Sequence, residues 1–428
     1  MCRLDRFLPG FATAALAAPA LAGNVITVGP SGADYVEIAP AVAAAADDDV
    51  ILVRAGTYGG FVIDGKSIRV VADTGAAVVV QRKVVVQNLA AGGSVVLSGL
   101  DMHAHGAAYD CSLLVTGNAG SVRIVGCEIG LAYLPHEHSL QAGARIVVST
   151  DVAFSGCALQ GADAVPVFTP GNGLRGGDGL EIEGSQVSLH DCQCTGGTGG
   201  LAYDGWTGGA GGDGCAISGS MVHASGTSFH GGAGANGNDQ ATCIDIAAGD
   251  GGDGGDAIRA DAQSTIVLLD PMLAAGAFGR GGYGACGPNG VDGAPGATLD
   301  LAAGTQLTQL PGIARRMSLA VPVRETVPVA VSFTGEPGDI VRLTVWDRAG
   351  FLYMPAYFGV FLEHAPLVRR IQIGTIPPSG VLQANIVFPA LPAGVEAKTF
   401  FLQPYFVDSA NSVRLGSSIA EVVLDSAF

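Results

Sequence analysis

The stretch S-V-V-L-S-G-L-D-M at residues 94–102 decides the fold, because the chain keeps returning to it. It recurs as S-V-R-I-V-G-C-E-I (121–129), D-V-A-F-S-G-C-A-L (151–159), Q-V-S-L-H-D-C-Q-C (186–194) and M-V-H-A-S-G-T-S-F (221–229), with a degenerate T-I-V-L-L-D-P-M-L at 265–273. Apolar and polar residues alternate in each copy, as a half-buried strand requires. A second apolar strand precedes the copies across a corner, at 113–115, 146–148, 180–182, 215–217 and 257–259, and 297–301 fits a final turn. Strand, corner, strand and variable loop therefore repeat at intervals of roughly 27 to 44 residues. No such unit can bury its own apolar face, so units must stack. Stacked parallel strands about 4.8 Å apart place like residues in columns. The reading is all-β: a parallel β-helix, a solenoid of single strands. Cys127, Cys157 and Cys192 share one inward column with Leu100, Thr227 and Pro271, which predicts buried, reduced thiols and not a metal or redox site. Cys194 and Cys215 read as core in the same way. Cys111, Cys243 and Cys286 read as loop residues, and neighbouring coils leave a Cys243–Cys286 bridge open.

Towards the N-terminus, residues 25–58 read V-I-T-V-G-P-S-G-A-D-Y-V-E-I-A-P-A-V-A-A-A-A-D-D-D-V-I-L-V-R-A-G-T-Y. A strand leads to an Ala-rich helical stretch at 36–46, then to a buried strand at 50–53 and a turn at Gly56-Thr57-Tyr58. This resembles the opening of pectin-lyase-like right-handed β-helix proteins, pectin methylesterases among them. The resemblance covers about residues 24–310 and implies a right-handed coil whose open end is covered by an N-terminal capping helix, as an exposed strand edge requires. The activities it implies do not carry over residue by residue. Pectin methylesterases have a Gly-x-Gln-Asp-Thr-Leu element. The nearest stretch, Cys157-Ala158-Leu159-Gln160-Gly161-Ala162-Asp163-Ala164-Val165, lacks its Gln and sets Asp163 one place out of register. Polygalacturonase-type hydrolases use a Gly-His-Gly and an Arg-x-Lys, whereas this chain has Phe229-His230-Gly231 and no Arg-x-Lys. Pectate lyases use a basic residue as the proton-abstracting base. Between Lys83 and Arg315 the candidates are Arg123, Arg145, Arg175, Arg259 and Arg280.

From Gly171 to Gly296 the loops are dominated by glycine, as in 173–179, 207–214 and 249–256. The expectation is that glycine lets long loops turn tightly and lie flat against the helix side. Gly-Asp runs offer carboxylates and carbonyls to Ca²⁺, with Asp213, Asp250, Asp253 and Asp256 as the candidate ligands. Turn chemistry uses the same residue types. Tyr203 and Trp206 interrupt one loop as an aromatic pair suited to stacking on a sugar ring or to anchoring the loop. His103 and His105 follow one repeat and His136, Glu137 and His138 the next. Their convergence on consecutive coils would supply transition-metal ligands.

Beyond residue 310 the glycine thins and short alternating strands begin, at 318–323, 327–333, 340–346, 369–374, 381–388, 399–407 and 419–424. They predict an antiparallel C-terminal β-sandwich over 316–428, separate from a β-helix over 23–310. Trp346, Phe351, Tyr353 and Phe358 are expected in its core and in inter-domain packing. The ending, residues 406–425, looks like a terminal module of other secreted bacterial repeat proteins.

Residues 1–22 read as a signal peptide, with Arg3 and Arg6, an apolar run at 7–18 and Ala20-Leu21-Ala22 before Gly23. Cleavage removes Cys2 and leaves an even number of cysteines in an exported chain, which permits disulfides. The net charge is −17, and lysine is confined to Lys66, Lys83 and Lys398. Such a surface disfavours nucleic acid and anionic membranes. The resulting expectation is a secreted or cell-surface protein that binds an extracellular polysaccharide or cell-envelope component without catalysis. The alternative is a polysaccharide lyase or glycoside hydrolase. No cofactor beyond the metals above is implied.

Overall fold

A computed structural model describes residues 23–104, 110–130, 142–167, 171–203, 205–240, 247–285 and 287–428. The expected signal segment and the Cys243–Cys286 pair lie outside these. The chain forms a parallel β-helix of three sheets, one of ten strands and two of eight. Each full coil gives one strand to each sheet in turn, and Val25–Val28 and Gln306–Leu310 add one more strand at either end of the first. Ser94–Ser98 lies in the first, Leu100–His103 in the second and Cys111–Thr116 in the third, before Ser121–Val125 returns to the first. The columns follow from in-register pairing. Leu97, Ile124, Phe154 and Leu189 are successive partners, and all are fully buried.

One expectation needs correction here. The nine-residue repeat is two strands and not one. Its sixth residue is a corner with positive φ in every copy: Gly99 (67°), Gly126 (57°), Gly156 (62°), Asp191 (55°), Gly226 (62°) and Asp270 (53°). Glycine and, less readily, Asp accept this left-handed conformation, so the motif turns there. The next corner, from third to first sheet, uses Gly117, Gly184 and Gly219 in the same way, but one coil places Val148 there at φ 45°. A β-branched residue is strained in that region. Val148 is also exposed, at 62%. Val148→Gly is therefore expected to raise stability by about 1–2 kcal/mol, read from chemical denaturation.

Cys127, Cys157 and Cys192 are buried, free and part of the continuous core. Burial holds the thiols of Cys127 and Cys192 well above the usual range. Cys111, expected in a loop, opens a strand and is fully buried. The capping helix is Ile38–Ala44, shorter than expected, with Ile38, Ala41 and Val42 buried. Lys66 Nζ donates to the carbonyls of Val42, Ala43 and Ala45, each at 2.8 Å, and so satisfies its C-terminal end.

The C-terminal part pairs Pro328–Thr334 with Val381–Val387, and Ile340–Met354 with Gly359–Thr375 and Ala397–Val407, all antiparallel. The hairpin 340–375 is much longer than the strands expected there. This unit is docked along the outer face of the first sheet. Val25, Val50, Leu52 and Val71 meet Ala397, Val422 and Leu424. Val96 meets Phe401 and Ala420, with Trp346 alongside. Ala153 meets Val360 and Leu362, with Phe351 and Tyr353 alongside. Phe358 instead lies under the Arg414 guanidinium, 3.5 Å from the ring centre. Arg123, only 3% exposed, pairs with Asp151 at 2.7 Å and donates to the carbonyl of Gly350 at 3.0 Å.

The glycine-rich loops correct a second expectation. Among the described residues they form four hairpins, pairing 161–167 with 171–179, 196–203 with 205–214, 231–240 with 247–257 and 275–285 with 287–298, each between a second-sheet and a third-sheet strand. They are not runs of tight turns. Gly205 is their one described residue with positive φ. Hydrogen bonds recur every three residues: Gly208, Gly211 and Gly214 donate to Asp250, Asp253 and Asp256, and Gly173, Gly176 and Gly179 to Thr207, Ala210 and Asp213. Within a hairpin the partners run antiparallel, Gly209 to Gly200 and Gly212 to Gly197. A period of three belongs to extended polyproline-II-type helices, which have no internal hydrogen bonds. Here neighbouring segments supply the partners, and the hairpins stack as a two-layer lattice. Glycine is required because a Cβ on Gly179, Gly208 or Gly214 would meet neighbouring backbone within 3 Å.

Candidate functional site

The lattice sets the position of the tip. Trp206 donates its backbone N–H to Tyr203 across the turn of the second hairpin, and Asn238 of the third hairpin donates Nδ2 to the Ala202 carbonyl at 3.0 Å. Gln240 of the third donates to the Tyr283 carbonyl of the fourth, and Asp239 accepts the Tyr283 N–H at 2.6 Å. The three hairpins are thus tied together at these residues. Tyr203 (39%), Trp206 (43%) and Tyr283 (64%) are exposed there, with Leu201. Tyr203 and Leu201 line a recess of about 340 Å³ together with Pro166, Val167, Ala202, Asn236, Gly237 and Asn238. Asn236 Oδ1 accepts the Arg280 N–H at 2.8 Å, so both asparagines hold the support together, and flat aromatic faces on such a rigid support can stack on a sugar. Tyr203 and Trp206 were singled out in the sequence. Tyr283 and the two asparagines were not, because they come from other hairpins 30 or more residues away, roughly.

The Asp residues considered for Ca²⁺ serve the lattice. Asp250, Asp253 and Asp256 each accept a backbone N–H, from Val291, Ala294 and Ala297, at 2.7 Å. Asp178 likewise accepts the N–H of Asp213, and Asp213 that of Asp256. Asp213 is 3% exposed and pairs with Arg175 at 2.9 Å and Arg259 at 2.8 Å. These four carboxylates do not converge on one point. Among the described residues, the one group of three potential ligands contains His103 and none of them. His105, His136, Glu137 and His138 lie outside the described residues.

The aspartate ladder borders an open groove of about 540 Å³ on the outer face of the third sheet, lined by Arg145, Asp178, Glu181, Glu183, Ser218, Arg259 and Asp300 among others. Burial, then the neighbouring Asp178, pushes the carboxyls of both Glu181 and Asp213 upward. Arg145 reaches Glu181 at 3.3 Å. A carboxyl pushed upward in this way, with arginines beside it, has the chemistry of a general acid. The ladder had a signal in the sequence, since Gly-Asp recurs at 177–178, 212–213 and 255–256, just before each third-sheet strand.

No protein-family model and no curated protein sequence matches the chain. Among solved structures, it aligns with a superoxide reductase (neelaredoxin) from Ignicoccus hospitalis at 9% identity and TM-score 0.16, over 26% of this chain and 80% of the other. It aligns with the mannuronan C-5 epimerase AlgE4 A-module of Azotobacter vinelandii at 12% identity and TM-score 0.17, over 62% and 90%. The Siphovirus 9NA tailspike receptor binding domain aligns at 10% identity and TM-score 0.16, over 90% and 97%. At such scores the alignments carry no argument about activity.

Proposed function

We propose that this is a secreted, non-catalytic glycan-binding protein that engages an extracellular or cell-envelope polysaccharide through the tips of its glycine hairpins. The reading rests on one observation: Tyr203 lines a recess with Asn236 and Asn238, and Trp206 and Tyr283 stand exposed on neighbouring segments whose backbones are locked together. A rigid platform of this kind loses little freedom on binding. The signal-like residues 1–22 support export. The opening at 25–58 supports a place among pectin-lyase-like β-helices. Among the described residues no helix is long and apolar enough to cross a membrane. Glycan-array binding by the full chain tests the reading. Trp206→Ala and Tyr203→Ala are each expected to weaken retention about tenfold, as loss of a stacking ring does. Undiminished binding by both variants would refute the assignment.

The acid and arginine groove favours a second reading, cleavage of the bound polysaccharide with Glu181 as the proton donor. Release of reducing ends from a polysaccharide panel, abolished by Glu181→Gln, would replace binding with catalysis as the main activity.

A further inference from the structure

A separate cluster of ligating side chains stands on the second sheet, away from the hairpin tips. Asp101 and Glu128 are direct partners in the parallel pairing of Leu100–His103 with Glu128–Gly130. Two carboxylates therefore project from one face a single strand spacing apart, an arrangement that repels. His103, two residues further along the same face, sets Nε2 against Oδ1 of Asp101. One ligand atom from each of the three lies within 4.8 Å of the others. Among the described residues no Lys or Arg pairs with Asp101 or Glu128, whereas Asp110, Asp178, Asp213 and Glu181 all have such partners. Asp101 and His103 are half-buried and Glu128 is exposed, so the cluster opens to solvent on one side. His103 Nδ1 is buried and has no hydrogen-bond partner.

We propose that Asp101, His103 and Glu128 form a binding site for a divalent transition-metal cation of the Zn²⁺ type. One imidazole with two carboxylates suits such ions, and the donor set excludes the all-oxygen shells preferred by Ca²⁺ and Mg²⁺. The cation removes the repulsion that the strand register otherwise imposes on the two carboxylates. Three protein ligands leave coordination positions free on the exposed side for water or a sugar hydroxyl. The site draws on two adjacent coils, so neither strand alone contains it. That is why the histidine pairs in the sequence pointed near it without defining it.

The test uses the full-length protein stripped with a chelator and titrated with Co²⁺, followed by its visible d–d absorption, and with Zn²⁺ by calorimetry. The wild type is expected to take up one equivalent of either ion at this site. Asp101→Asn and Glu128→Gln, which keep side-chain size and are checked for native circular dichroism, are expected to bind at least tenfold more weakly and to lose the Co²⁺ spectrum. Wild-type affinity in both variants would overturn the proposal, and so would a folded wild-type chain that takes up neither ion.

Discussion

Gly212→Ala is expected to disorder the glycine hairpins and abolish glycan retention. The added Cβ would land on the backbone carbonyl of Gly177, with the Gly176 carbonyl oxygen 2.9 Å away. Neither obstacle is a flexible side chain. Gly212 also donates to Gly197 and accepts from Gly232, so the segment cannot withdraw without breaking lattice bonds. Overpacking a side-chain core costs roughly 1–3 kcal/mol. Displacing hydrogen-bonded backbone adds unsatisfied groups to that, about 1–3 kcal/mol each. Asp253→Ala provides the comparison, since it removes one cap on the Ala294 N–H and is expected to cost only about 1 kcal/mol. Chemical denaturation and glycan retention, measured on both variants, check the ranking. Equal stability of Gly212→Ala and wild type would contradict the lattice.

The second large effect is expected at the face where the C-terminal unit covers the first sheet. His190 and His223 are 3% and 1% exposed, on neighbouring coils, with ring centres 5.8 Å apart. His223 faces Tyr353 of the long hairpin at 6.2 Å, and neither of its ring nitrogens has a partner. His190 bonds Ser188 Oγ at 2.8 Å, with Arg123 among the charges acting on it. Burial lowers His223 to about 4 and, with His223 and Arg123, lowers His190 to about 3. Below pH about 6.5 the unfolded chain therefore binds protons that the folded chain refuses, and stability is lost as pH falls. Asp191 acts with the opposite sign. Burial raises it to about 7 against the pull of Arg316, so the folded chain holds a proton that the unfolded chain releases. Comparing His223→Phe with the wild type cancels that term. The variant is expected to gain about 3 kcal/mol relative to the wild type between pH 6.5 and 4, at about 1.4 kcal/mol for each pH unit. A pH-independent difference would show that His223 is not buried beneath the C-terminal unit.

The β-helix was legible because its strands alternate and its copies align: residues 94–98, 121–125 and 151–155 show the same inward set. The corners were less legible. Gly126 and Asp191 occupy equivalent places, yet nothing in their alternation with apolar neighbours distinguishes a corner from a strand interior. Only the shared tolerance of positive φ does so. The lattice escaped for a deeper reason. Gly208, Gly211 and Gly214 pair through backbone alone, and a side-chain pattern cannot report backbone pairing. The three-residue spacing of Asp250, Asp253 and Asp256 was the available clue, and it looks the same as turn chemistry. The docking face was hidden too. Arg123, Ser188, His190 and His223 hold polar places in the alternation of half-buried strands, and they are buried because the C-terminal unit covers them.

Hydrogen–deuterium exchange of the intact chain, resolved to peptides covering 207–214 and 276–283, tests the account where it is most exposed to failure. If these glycine-rich segments are a hydrogen-bonded lattice, their amides exchange slowly, on the scale of the flanking strands Cys215–Ser218 and Met272–Ala274. Complete exchange within seconds at neutral pH, with those strands still protected, would show free loops and would remove the rigid support on which the proposed binding tip depends.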